Sequence, residues 1–174
     1  MADHVCVAAR PRTPQTLATI GVYGFDADAF LRAIEGADVR VLIDVRQRRG
    51  VRGSEYAWAN ARRLQAALAG AGIAYVHLKE LAPTTELRQL QYAEDDRLGV
   101  GKRSRTELAP AYRERYLAEI LDRADLPAVV DELPADGEGV LLCVERDPEA
   151  CHRSLIAERM AAEHDVEISH LRPS

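Results

Sequence analysis

The chain is expected to fold as a single α/β domain, a mainly parallel sheet of about five strands with helices on both faces. Three observations point there. Short β-branched runs alternate with stretches of helical spacing, the pattern that builds parallel sheets. The length, 174 residues, suits one domain with a sizeable core. The hydrophobic fraction of 47% and charged fraction of 29% are those of a globular protein and argue against disorder.

The elements follow in order. Residues 1–15 read as a tail, because Arg10-Pro11-Arg12-Thr13-Pro14 blocks regular structure; the domain then spans 16–174. Leu17 to Tyr23 reads as a first strand. Asp26 caps the next helix, with Phe25 and Phe30 as a hydrophobic staple. That helix runs to about Glu35 and buries Phe30 and Ile34. Val39 to Val45 is nearly continuously apolar, as in a strand covered on both faces. Ala61, Leu64, Leu68 and Ala71 have helical spacing, ended by Gly70 and Gly72. Ile73 to Leu78 is the third strand.

Lys79 to Arg105 is polar and reads as an irregular connection, long enough to be a lid or to carry short helices. Leu108, Tyr112, Tyr116 and Ile120 share one face of a long helix, and Pro127 and Pro134 bracket a short one. Val140 to Val144 is the fourth strand. Cys151 to Glu163 forms a helix burying Leu155, Ile156 and Met160. Val166, Ile168 and His170 alternate with polar residues, as on a half-exposed last strand.

In open parallel sheets, ligands bind outside the carboxyl ends of the strands. Those ends carry Tyr23, then Asp44 and Arg46, then His77, Lys79 and Glu80, then Cys143, Glu145 and Arg146. The fold therefore predicts Asp44, His77 and Cys143 along one edge.

The most informative segment runs from Leu141 to Ile156, from a buried strand through Glu145-Arg146-Asp147-Pro148-Glu149-Ala150 to Cys151-His152-Arg153. A thiol at a helix start has its thiolate favoured, and His152 and Arg153 add to the effect. Cys151 is thus a candidate nucleophile, and the helix start a candidate anion site. A competing reading starts the helix at Asp147-Pro148 and places Cys151 one turn inside it. Cys143 can equally be a small core residue. A phosphatase-like loop needs an arginine six residues after its cysteine; here that position is Glu149, in a loop also holding Glu145 and Asp147, which repel phosphate. A rhodanese-like sulfur-transfer loop fails for the same reason.

Arg46, Arg48, Arg49 and Arg52 lie within seven residues, followed by Tyr56 and Trp58. Arg46 suits bidentate recognition of a carboxylate or phosphate, with Asp44 orienting it or acting as a base. Glu80 and Glu145 are further candidate acids or bases. The three cysteines, Cys6, Cys143 and Cys151, suggest reduced thiols. With no apolar run near the roughly 20 residues of a membrane span and no secretory-type start, a cytoplasmic location is expected. The net charge of −5 disfavours a surface wholly devoted to nucleic acid but leaves room for a local basic patch.

The chain resembles the bacterial and archaeal family catalogued as domain of unknown function 488. The pieces that carry the resemblance are Thr19-Ile20-Gly21, Asp44-Val45-Arg46, Gly72 to Leu78 with Glu80-Leu81, and Cys143 through Cys151-His152-Arg153. They span most of residues 17–171 in the family's order, and the Cys-His-Arg segment is the most specific. Family members often have histidine after Thr-Ile-Gly; here that position is Val22, with Tyr23 or His77 as substitutes. The resemblance implies a site at Asp44, Arg46, Cys151, His152 and Arg153, and no reaction.

Three functions are in competition. The leading one is an enzyme, a hydrolase or group transferase, acting on a small anionic or nucleotide-like ligand. Arg46 and Arg153 hold the anion, with Tyr23 and His77 beside it. Cys151, His152, Asp44, Glu80 and Glu145 supply the chemistry. The second is a nucleic-acid-associated module using the arginine–aromatic loop 46–58, whose binding would fall steeply with salt. The third is a metal or haem protein using Cys143, Cys151 or His152. Against the third stands the spacing, which is no C-x-x-C pair, and the expectation that the adjacent Cys151 and His152 side chains diverge.

Overall fold

The computed structural model describes residues 14–174. The proposed tail and Cys6 lie outside the described residues, apart from Pro14 and Gln15, and Gln15 already belongs to a strand. Five strands, β1 (Gln15–Gly21), β2 (Val39–Asp44), β3 (Ala74–His77), β4 (Glu138–Cys143) and β5 (Val166–Leu171), form one sheet in the order β3-β2-β4-β1-β5. Every pairing is parallel. On β1, β2 and β4 successive residues such as Leu17 to Gly21 and Val41 to Asp44 are all buried. Adjacent side chains point to opposite faces, so both faces of the central strands are covered.

Among the described residues six α-helices complete the layers: α1 (Ala27–Gly36), α2 (Ala61–Gly70), α3 (Thr85–Leu98), α4 (Pro110–Glu119), α5 (Leu126–Asp131) and α6 (His152–His164). Asp26 caps α1 by accepting from the Ala29 amide at 2.7 Å. Phe25 meets Phe30 edge-on across that end, with centroids 5.9 Å apart, as the staple requires. No helix among the described residues is long and apolar enough to cross a membrane.

The connection after β3 departs from the sequence reading. It holds α3, a 14-residue helix capped by Thr84, which accepts from the Leu87 amide, and closed by Gly99 at φ 66°. Its buried stripe is Leu87, Gln91 and Asp95, one turn apart. Helical spacing is present, but two of the three positions are polar, so hydrophobic periodicity does not reveal it. The polar stripe is satisfied within the helix and from beyond it: Gln91 Nε2 donates to Asp95 at 2.9 Å, Gln91 Oε1 accepts from the Ala109 amide at 2.8 Å, and Arg105 forks onto Asp95.

Parallel pairing puts all strand carboxyl ends on one edge. In register, Asp44 pairs with both His77 and Leu142, and Gly21 pairs with Cys143. The expected alignment of Asp44, His77 and Cys143 is therefore present.

Candidate active site

Cys143 is the last residue of β4, and the chain then turns through Val144 to Asp147. Pro148–Ala150 forms one 3-10 turn. Cys151 breaks it with an extended backbone, φ −141° and ψ 141°, and is the N-cap of α6. Both sequence readings of the helix start thus contain part of the answer. Asp147-Pro148 does begin a turn, but the α-helix begins at His152.

That break decides the site. An N-cap residue with an extended backbone does not follow the side-chain directions of a continuous helix. The Cys151 and His152 side chains therefore converge, against the expected divergence. His152 Nδ1 lies 3.9 Å from Cys151 Sγ and 3.8 Å from Cys143 Sγ. The three ligand-type atoms all lie within 4.8 Å of one another, and all three residues are buried. Across the ring, His152 Nε2 donates to the Val45 carbonyl at 3.0 Å. A carbonyl only accepts, so Nε2 carries the proton, and Nδ1 faces the sulfurs.

The electrostatics follow from this arrangement. Burial alone pushes the Cys151 thiol up; a hydrogen bond from Cys143 and the charges of Arg153 and His152 outweigh it and hold the thiol well below its ordinary value. Cys143, which supplies that hydrogen bond and is itself buried, is pushed well above. Burial lowers His152, but the Cys151 thiolate raises it further. These shifts run in opposite directions for the two thiols, so Cys151 gives up its proton more readily than Cys143. Cys143 Sγ is also 3.4 Å from Glu145 Oε2. Burial and the Cys151 thiolate raise the Glu145 carboxyl, while Lys102 and Arg105 oppose the rise.

Arg153 is fully buried and does not line the cavity beside these groups. Its guanidinium donates to the carbonyls of Glu145 at 2.6 Å and Arg146 at 3.0 Å, and to Thr19 Oγ1 at 3.4 Å. It braces the loop after β4 and lends its charge to Cys151 through space. Asp44 and Arg46 are likewise engaged with each other: Arg46 Nε and Nη2 fork onto Asp44 at 2.9 and 2.7 Å, and Nη1 donates to the Ala59 carbonyl at 2.9 Å. Tyr75 donates to the same carboxylate at 2.7 Å. His77 Nε2 donates to the Arg46 carbonyl at 2.9 Å. Asp44 and His77 do not line the cavity, and Glu80 is exposed in a short turn away from it.

The cavity holds about 570 Å³, and Cys143, Glu145, Cys151 and His152 line one part of it. Tyr23 lines it too, beside the fully buried Val22. Among the described residues its lining includes Arg46, Arg48, Arg52, Arg88, Lys102 and Arg105, against Glu145 as the one acid. Two lining residues carry orphaned buried atoms: among the described residues, Gln47 Oε1 and Arg88 Nε have no hydrogen-bond partner. Such atoms are costly unless a ligand or water meets them.

Arg88, Lys102, Arg105 and Tyr112 were missed by sequence reasoning. The run Gly101-Lys102-Arg103-Ser104-Arg105 was a visible basic signal, but nothing in the sequence brought it to the strand ends. Arg103 does so in part: it lies over the rings of Tyr23 and Tyr56, 5.3 and 5.2 Å from their centroids, and pairs with Glu55. Trp58 packs on Phe30, with centroids 4.8 Å apart. The aromatics of loop 46–58 are engaged within the protein.

The family model described as "Domain of unknown function DUF488" matches residues 26–160, and the chain belongs to that family. No match was found among curated proteins or among solved structures.

Proposed function

We propose that this member of the DUF488 family is an enzyme, a hydrolase or group transferase, acting on a small anionic or nucleotide-like ligand in the cavity at the strand ends. The observation that carries the reading is the meeting of the Cys143–Cys151–His152 cluster with a cavity lined, among the described residues, by Arg48, Arg52, Arg88 and Lys102, with Arg46 and Arg105 also present but paired to Asp44 and Asp95, and by Glu145 as its acid. A buried thiol whose ionisation is favoured, beside an imidazole, suits a reactive centre, since it offers electron density and a proton at neighbouring atoms. Arg48, Arg52, Arg88 and Lys102 attract and position the anion; the orphaned Gln47 Oε1 accepts a donor group from it. His152 moves the proton at Nδ1. Asp44, Arg46 and Arg153 are positioning residues that hold the loops in place. Cys143 and Cys151, unbridged among the described residues, fit a reducing compartment, the cytoplasm.

The experiment is calorimetric titration with inorganic phosphate and with nucleoside mono- and diphosphates. We expect binding that weakens with salt. Lys102→Gln or Arg48→Gln should each weaken it about tenfold or more, the value of a charge-assisted hydrogen bond. Affinity unchanged in both variants would sink the anion reading. A single-stranded oligonucleotide binding more tightly than any nucleotide would favour a nucleic-acid module instead.

A further inference from the structure

We propose that Cys143 Sγ, Cys151 Sγ and His152 Nδ1 are three ligands of one divalent transition metal ion of the zinc class, whose remaining coordination position opens to the cavity.

The first argument is size. Zinc at about 2.3 Å from sulfur and about 2.0–2.1 Å from nitrogen gives a tetrahedron with sulfur–nitrogen edges of about 3.6 Å. The two observed edges are 3.8 and 3.9 Å. The third edge, between the sulfurs, is bounded by the 4.8 Å span of the cluster, against about 3.8 Å in the same tetrahedron. The sulfur–nitrogen edges need close by only a few tenths of an ångström and the sulfur–sulfur edge by about 1 Å at most, within the reach of side-chain rotation.

The second argument is the support behind the imidazole. A metal-bound histidine usually donates its other N–H to a carbonyl or carboxylate, which fixes the ring and the tautomer. His152 has that arrangement, with Nε2 donating to Val45 and Nδ1 left for the ion.

The third argument is donor chemistry. Two sulfurs and one imidazole match a borderline-soft ion and suit magnesium or calcium poorly. Two thiolates neutralise a divalent charge, so the filled site is neutral within its buried surroundings. Binding releases one proton per thiol, wherever those protons sit beforehand, so charge balances. Three protein ligands with a vacancy toward a cavity are the pattern of catalytic sites, whereas structural zinc is closed by four. All three residues line the cavity. In the filled site Cys151 and His152 are ligands, so His152 Nδ1 moves no proton there, and the reacting group is whatever occupies the open position.

The inference uses the cluster that the proposed function uses, but it does not require an anionic ligand. The test is therefore run without phosphate or nucleotide. Cys6→Ser protein is stripped with chelator under a phosphine reductant, loaded with zinc and desalted. We expect one zinc per chain, and protection of Cys143 and Cys151 from iodoacetamide in the loaded protein. Cobalt substitution should give the intense visible bands and the sulfur-to-metal charge transfer of tetrahedral thiolate coordination. These readouts need no change in the core. His152→Ala and Cys143→Ala, with folding checked by circular dichroism, should lose the retained metal. No metal after desalting, with cysteine labelling unchanged by zinc, would overturn the site. Zinc binding with no anion binding would overturn only the function proposed above, and the converse would overturn only the metal site.

Discussion

The carbonyl oxygen of Glu145 passes so close to Gly21 that a Cβ on Gly21 would lie 1.9 Å from it. This contact lets the loop after β4 cross the end of β1, and Arg153 donates to the same carbonyl at 2.6 Å. Backbone atoms cannot yield as a side-chain tip can. Gly21→Ala is expected to destabilise the fold by about 3 kcal/mol, at the high end for overpacking. It should also displace Glu145 from the cavity. Urea denaturation reads the first effect; a loss within 0.5 kcal/mol, on the scale of a neutral surface change, would mean the loop has room to move.

Asp44 and Arg46 form a fork with side chains 0% and 1% exposed. Asp44→Asn leaves a buried guanidinium without its counter-charge and should cost about 3–5 kcal/mol. The double change Asp44→Leu with Arg46→Met removes both charges and should cost less than Asp44→Asn alone. Equilibrium unfolding of the three proteins checks this. A double variant weaker than the single one would make the fork a net source of stability.

Asp95 ties α3 to the segment bearing Arg105. Burial raises its carboxyl, but hydrogen bonds from Arg105 and Gln91 outweigh this and hold it below the ordinary value. Because the folded value is the lower one, the stabilisation is complete above the unfolded value of about 3.9. It is lost as pH falls through the folded value. Asp95→Asn should therefore flatten the acid limb of the stability–pH curve, measured by thermal unfolding between pH 6 and about pH 3. An acid limb identical to the parent's would remove Asp95 from the argument.

In metal-free, reduced protein, Cys151 should alkylate at lower pH than Cys143. The two thiols are held on opposite sides of the ordinary value of about 8.5. Mass spectrometry of iodoacetamide adducts against pH gives both profiles. His152→Ala should move Cys151 upward and narrow the gap between them. Faster labelling of Cys143 near neutral pH would reverse the assignment of the thiolate.

The parallel sheet, the strand-end edge and most helices were legible because apolar spacing carries them: Val39 to Val45 on β2, Phe30 and Ile34 on α1, Leu155, Ile156 and Met160 on α6. What spacing could not carry was orientation. Whether Cys151 and His152 diverge depends on one residue's backbone, and only the packed loop puts Cys151 in the extended N-cap conformation that turns both side chains inward. Whether an arginine faces a ligand or a carbonyl depends on which acceptors the fold leaves nearby. Arg153 meets the carbonyls of the β4 loop, Arg46 meets Asp44, and the cavity instead takes Arg88, Lys102 and Arg105 from a polar segment whose helix hides behind Gln91 and Asp95. Periodicity reports burial of apolar area, a sum over many residues; the direction of a single polar side chain is a local balance of hydrogen bonds that exists only once the chain has closed around it.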